Sequence, residues 1–236
     1  MNDIFVYPLQ NSKEYKDIIN CINNNKGSLL INGLLAVQKP HIAYSMYRDL
    51  NRQTIFITNS DLEAKKVYDD LSFYMKDKVE YIGFQDILFY HLDAKDRSEE
   101  AKRLKVLLKL AKGENIILVT SIEAVMRKYI PKEILLENIY TYKIGDVINL
   151  EKLSETLVNL GYERVSKIEG FGQFSIRGGI VDIFSLEYNN PIRMELFDDE
   201  IDSIRTFDVF SQKSIEKINK FSITPSREFI YPENVE

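Results

Sequence analysis

Cysteine, histidine, basic excess and long apolar runs are all scarce in this 236-residue chain, and each shortage removes a class of function. Acidic residues outnumber basic ones 36 to 31, for a net charge of −5. A whole-molecule electrostatic attraction to nucleic acid is therefore not expected, which leaves only a local basic patch. Cys21 is the single cysteine, so there is no disulfide framework and no cysteine-based metal site. That suits a reducing cytosol, and a cytoplasmic location is expected. His41 and His91 are the two histidines, and neither stands in a metal-ligand spacing such as H-E-x-x-H. No Ser/His/Asp arrangement with a nucleophile elbow is visible, so no catalytic or metal residue is assigned. No apolar run approaches the ~20 residues a membrane-spanning helix needs. The start, MNDIFVYPLQNSKEYKD, has neither a basic leader nor an apolar stretch of the secretory kind.

What is present is a composition that folds: 44% hydrophobic and 28% charged residues, enough for two compact domains or one large one. Strand and helix signals alternate through residue 137. SLLING (28–33), QTIFITN, KVEYIGF and ENIILVTS read as short buried strands. Between them lie amphipathic helices. Ser60 with Glu63 makes a capping box for a helix whose Leu62, Val67, Leu71 and Tyr74 share a face. Asp96 to Lys112 carries Ala101, Leu104, Leu108 and Ala111 at helical spacing, with Gly113 as its stop. This alternation predicts an α/β domain over residues 1–137, with a mostly parallel sheet covered by helices on both faces.

The pattern changes at about residue 138. One helix (Leu150, Leu153, Leu157 and Leu160 on one face, Gly161 at its end) is followed by short strands: ERVSKIE, GQFSIR, IVDIFS, PIRMELF and EIDSIRTFD. Residues 138–229 therefore read as a smaller α+β domain with an antiparallel sheet, and 230–236 as a tail. Asp198-Asp199 suits a hairpin turn, and Gly178-Gly179 suits a bulge. The acidic cluster Asp198, Asp199, Glu200 and Asp202 alternates with apolar residues and reads as a solvated turn rather than a cation site.

Two stretches bear on function. SLLINGLLAVQKPH has the strand–glycine–helix order of a phosphate-binding P-loop, with Gly33 and Lys39 in register. Gln38 stands where the second glycine belongs, and Pro40 where the Mg²⁺-binding hydroxyl belongs. Pro40 also removes an N–H that the helix start would offer a phosphate. Gly33, Gln38, Lys39 and Pro40 thus form a degenerate P-loop, not expected to bind nucleotide, and no cofactor is expected. On PIRMELF, strand alternation sends Ile192, Met194 and Leu196 one way and Arg193, Glu195 and Phe197 the other. Arginine and aromatic residues together on one exposed sheet face are favoured interface anchors. The other reading, which the pattern alone favours, is that Arg177 and Arg193 pair with Glu195 or neighbouring acids on an ordinary wet sheet face.

The motifs F-x-x-R-G-G-I-x-D-I-F (174–184) and R-x-E-L-F-x-D-E-I-x-S-I (193–204), with GYERV, KIGDVINLEKLSETLV, SQKS and ITPSREF, carry a resemblance. The chain resembles the N-terminal UvrB-homology region of the bacterial transcription-repair coupling factors (the Mfd family), densely over 140–229 and more loosely over 28–137. The excision-repair protein UvrB shares the skeleton. UvrB-like helicases, however, keep an intact P-loop and a long DNA-clamping hairpin, for which DILFYHLDAKDRSEE is too short. The resemblance implies an N-terminal fragment without ATPase activity, whose second module contacts UvrA and brings the excision machinery to a stalled RNA polymerase. The alternative it leaves is a UvrB-like, ATP-dependent DNA-damage-binding protein. It implies UvrA contacts at Arg177, Arg193 and Phe197, masked in the parent protein by a C-terminal domain. RNA-polymerase binding and a DNA-translocating motor, hence helicase-like hydrolase activity, would lie in parent domains absent here. Gln173 departs from the family's usual glutamate, which leaves the charge of that rim open.

Overall fold

The computed structural model describes residues 4–24, 27–84 and 94–228. The chain divides into two compact units, Met1–Leu88 with Gly113–Lys128, and Phe89–Lys112 with Tyr129–Glu236.

The first unit begins with two helices, α1 (Tyr7–Gln10) and α2 (Lys13–Asn23), followed by α3 (Gln38–Leu50). β1 (Thr54–Thr58), α4 (Asp61–Tyr74) and β2 (Val79–Ile82) come next, and β3 (Ile117–Ser121) with α6 (Ile122–Val125) closes the unit. The three strands form a parallel sheet in the order β1-β3-β2. Short β-branched runs suit such a sheet, and β3 is buried along its whole length. α4 starts where Ser60 Oγ accepts from Glu63 N–H at 3.3 Å, as the capping box predicts. It packs Ala64, Val67 and Leu71 on Ile117 and Val119. Leu62, expected on that face, is 67% exposed. SLLING does not form a strand: residues 28–33 are irregular, and Leu30 is 81% exposed. Among the described residues no strand neighbours it to take its backbone groups, and an apolar run of this length then has nothing to hold it extended.

The second unit contains α5 (Ala94–Ala111), α7 (Lys132–Glu137), β4 (Tyr140–Lys143) and α8 (Leu150–Asn159). Strands β5 (Glu163–Arg164), β6 (Gln173–Arg177), β7 (Ile180–Ile183), β8 (Ile192–Phe197), β9 (Glu200–Phe207), β10 (Ser214–Lys217) and β11 (Lys220–Ile223) complete it. β10 to β5 make a six-stranded sheet in the order β10-β9-β8-β7-β6-β5, antiparallel except for the two-residue pairing of β5 with β6. β11 pairs with β4. Asn149 Oδ1 accepts from Lys152 N–H at 3.0 Å and starts α8. Leu153, Leu157 and Leu160 then pack on Phe174, Val181, Ile192, Met194, Ile201 and Ile204 of the sheet. Asp198 takes a positive φ of 56° in the two-residue turn joining β8 to β9, as DD suggested. Gly178-Gly179 form a two-residue turn between β6 and β7 rather than a bulge. Gly178 has φ 59°, and a Cβ on Gly179 would stand 3.0 Å from the Leu196 carbonyl oxygen. A bulge lies instead on β9, where Glu195 pairs with Ser203 and Leu196 with Ile201 and Asp202 is the extra residue.

α5 belongs with this second unit, because its apolar face, Leu104, Leu108 and Ala111, packs with Leu135 and Leu186. The units therefore interleave along the chain, and position 138 falls inside the second one. The expected tail at 230–236, His91 and the length of the 86–100 loop fall wholly or partly outside the described residues.

Candidate functional site

At the P-loop-like turn, only the glycine and the helix match the motif's geometry. Gly33 has φ 85° in open space, so it is there for its conformation and not for a close approach. Gln38 Oε1 accepts from Leu35 N–H at 2.9 Å, while Gln38 N–H donates to Leu35 C=O at 3.0 Å. Lys39 N–H donates to Ala36 C=O at 3.3 Å. Pro40 has no N–H and is buried. A phosphate cradle needs free amides at a helix start; here the first two are engaged and the third is missing. Lys39 is exposed on α3 as a single charge.

The second candidate is the outward face of the six-stranded sheet. Register sets Asp182, Arg193 and Arg205 side by side across β7, β8 and β9, and Glu195 beside Ser203 in the next row. Asp182 is 2% exposed, yet it lies between two arginines. Arg193 donates to it twice, Nε to Oδ1 at 2.6 Å and Nη2 to Oδ2 at 2.8 Å, and Arg177 Nη2 donates to Oδ2 at 2.7 Å. Such a bidentate fork fixes orientation as well as charge. Arg193 also stands 4.3 Å above the ring of buried Phe207 and donates to Gln212 Oε1 at 3.0 Å. Its pKa is raised, chiefly by the hydrogen bonds to Asp182, against the opposing effect of burial. Glu195 is not the partner of Arg177 or Arg193; it pairs with Arg205 and accepts from Ser203 Oγ at 3.0 Å. Burial pushes the Glu195 carboxyl up, but the Arg205 and Ser203 hydrogen bonds and the charges of Arg205 and Arg193 outweigh it and hold the pKa low.

The structure thus brings Arg177, Arg193 and Phe197 to one face, with unequal exposure. The Phe197 residue is 77% exposed and the Arg177 side chain 49%, whereas the Arg193 side chain is only 13% exposed. Arg193 is a strut, and Arg177 and Phe197 supply accessible surface. Gln173 Oε1 accepts from Glu169 and Gly170 N–H at 2.9 and 3.1 Å and closes the loop before β6. Both acceptor bonds are ones a glutamate could make, so this departure leaves the loop's shape intact. Sequence reasoning passed over Asp182, Arg205 and Gln212. The signal for Asp182 was a carboxylate in the middle of the apolar strand IVDIF. Among the described residues no cluster of metal-ligating side chains occurs, and no helix is long and apolar enough to cross a membrane.

A model of the UvrB interaction domain matches residues 141–229, the stretch that supplies this sheet. Nearly the whole chain is similar to curated transcription-repair-coupling factors. The Bacillus subtilis protein is 33% identical over 223 residues, covering 94% of this chain and 19% of that protein. A Staphylococcus epidermidis protein is 32% identical and a Staphylococcus aureus protein 33% identical, over 88% and 89% of this chain and 18% of each relative. The chain spans about a fifth of the length of these relatives.

Proposed function

Given that residues 141–229 form a UvrB interaction domain, in a chain homologous to the N-terminal region of transcription-repair-coupling factors, we propose that this protein is a docking module that binds UvrA and carries no ATPase of its own. In this reading it brings the excision machinery to a stalled RNA polymerase. Polymerase binding, DNA binding and the motor reside in other parts of the parent protein, one of whose C-terminal domains masks the face. The observation that carries the reading is the outward sheet face, where Arg177 and Phe197 stand exposed around the Asp182–Arg193 strut within the matched domain. The occupied first turn of α3 supports the absence of nucleotide chemistry.

The test is a titration of the chain with UvrA from a related bacterium. Phe197→Ala is expected to weaken binding by about 2 kcal/mol with an unchanged melting temperature, since Phe197 is 77% exposed. Arg177→Glu is expected to weaken binding as much but also to lower the melting temperature, because it removes a partner of the buried Asp182 carboxylate and sets a like charge beside it. Wild-type affinity in both variants would remove the face from consideration. Mg-ATP is expected to leave the melting temperature unmoved, because a ligand specific to the native state must stabilise it. A clear ATP-dependent rise would favour a UvrB-like ATP-dependent DNA-binding protein instead.

A further inference from the structure

Phe210 is the most exposed large apolar side chain among the described residues, at 91%. It sits at the tip of the 208–213 turn between β9 and β10. Turn tips are ordinarily polar, and an apolar residue there gains nothing from the fold. A single exposed phenylalanine is by itself unremarkable; what distinguishes this one is its support. Asp208 N–H donates to Lys213 C=O at 2.9 Å, and Gln212 N–H donates to Asp208 C=O at 2.8 Å. Asp208 Oδ1 accepts from both Ser211 N–H and Ser211 Oγ at 2.7 Å. Gln212, at φ 60°, donates through Nε2 to Val209 C=O at 2.8 Å and accepts from Arg193 Nη2 at 3.0 Å. The turn is therefore closed by its own hydrogen bonds, and it is tied to the same arginine that organises the outward face.

Its position completes a pattern. Phe197 ends β8 at the β8–β9 turn. The 208–213 turn follows the other end of β9, where Phe207 N–H donates to Pro191 C=O at 3.1 Å, just before β8 begins. Phe197 and the 208–213 turn thus lie at opposite ends of β8, whose six residues span about 16 Å at a strand rise of about 3.3 Å per residue. Aromatic anchors whose backbone is already held by hydrogen bonds in the free protein lose less freedom on binding, which favours their use as hot spots.

We propose that Phe210 is a second aromatic anchor for UvrA, entering an apolar pocket on that partner, with Gln212 as its positioning residue. The inference rests on the reading that this face binds UvrA. It adds that the footprint extends from Phe197 and Arg177, across Arg193, to the 208–213 turn. The partner surface then needs an acidic group for Arg177 and two apolar pockets at opposite ends.

The experiment titrates UvrA with the full chain carrying Phe210→Ala, Phe210→Leu, Gln212→Ala or Phe197→Ala, alongside thermal melts. Phe210→Ala is expected to weaken binding about tenfold with an unchanged melting temperature, Phe210→Leu to retain most of the affinity, and Gln212→Ala to weaken binding less than Phe210→Ala. Wild-type affinity in Phe210→Ala, with clear loss in Phe197→Ala, overturns the second anchor and leaves the docking function standing. Loss in Phe210→Ala with none in Phe197→Ala overturns the single continuous footprint. Wild-type affinity in both variants overturns the docking face itself, and the second anchor with it.

Discussion

At Asp182 two guanidiniums share one carboxylate that is almost wholly withdrawn from water. A buried charge is tolerable while its partners remain, and costly once one is removed. Asp182→Ala would leave Arg193, 13% exposed at its side chain, beside Phe207 with no counter-charge on its strongest side. The expected loss is about 3 kcal/mol of unfolding free energy, the scale for breaking a buried ion pair. Urea titration checks it, and a loss below about 1 kcal/mol would mean Arg193 turns out to solvent at little cost. The side of the sheet that Arg193 and Phe197 take was legible because strand alternation is a simple rule and PIRMELF obeys it. The hub was not legible. Alternation says which face a carboxylate shares, but only the β7–β8 register says that Asp182, and not Glu195, stands opposite Arg193.

At the scale of elements, local signals held wherever side chain and backbone answer each other within a few residues. Ser60 and Asn149 each cap the helix they precede, and Asp198 takes the φ > 0 its turn requires. Asn149→Ala removes the acceptor for Lys152 N–H at the start of α8, the helix that seats Leu153 and Leu157 on the sheet. The expected cost is about 1 kcal/mol, read as a lower urea midpoint with an unchanged slope. An unchanged midpoint would show that water replaces the cap without penalty. SLLING failed because a strand is not a local object: its composition is right, but no neighbour pairs with it among the described residues, and Leu29 and Leu30 stay exposed. Gly178-Gly179 was misassigned because two glycines permit a bulge and a tight turn equally; the Arg177–Ile180 pairing decides for the turn.

At the scale of the molecule, the alternation of strands and helices gave the α/β class but not the membership of α5. Its periodicity announces an apolar face without saying which core receives it. That core contains Leu135 and Leu186, so the second unit gathers residues from both sides of β3. A consequence separates stability from binding. A fragment covering 138–228 keeps the whole six-stranded sheet with Arg177, Arg193, Phe197 and Phe210, but loses α5 and α7. Leu186, 3% exposed in the full chain, then faces water. Arg103 and Lys112, which pair with Glu228 and Glu187, are gone as well. Exposing one such leucine costs about 2 kcal/mol. The fragment is therefore expected to unfold at a lower urea concentration than the second unit does in the full chain, while binding UvrA with an affinity within about threefold of it. An equal urea midpoint would show that α5 adds nothing to this unit. A large loss of UvrA affinity in a folded fragment would show that the footprint reaches beyond the sheet.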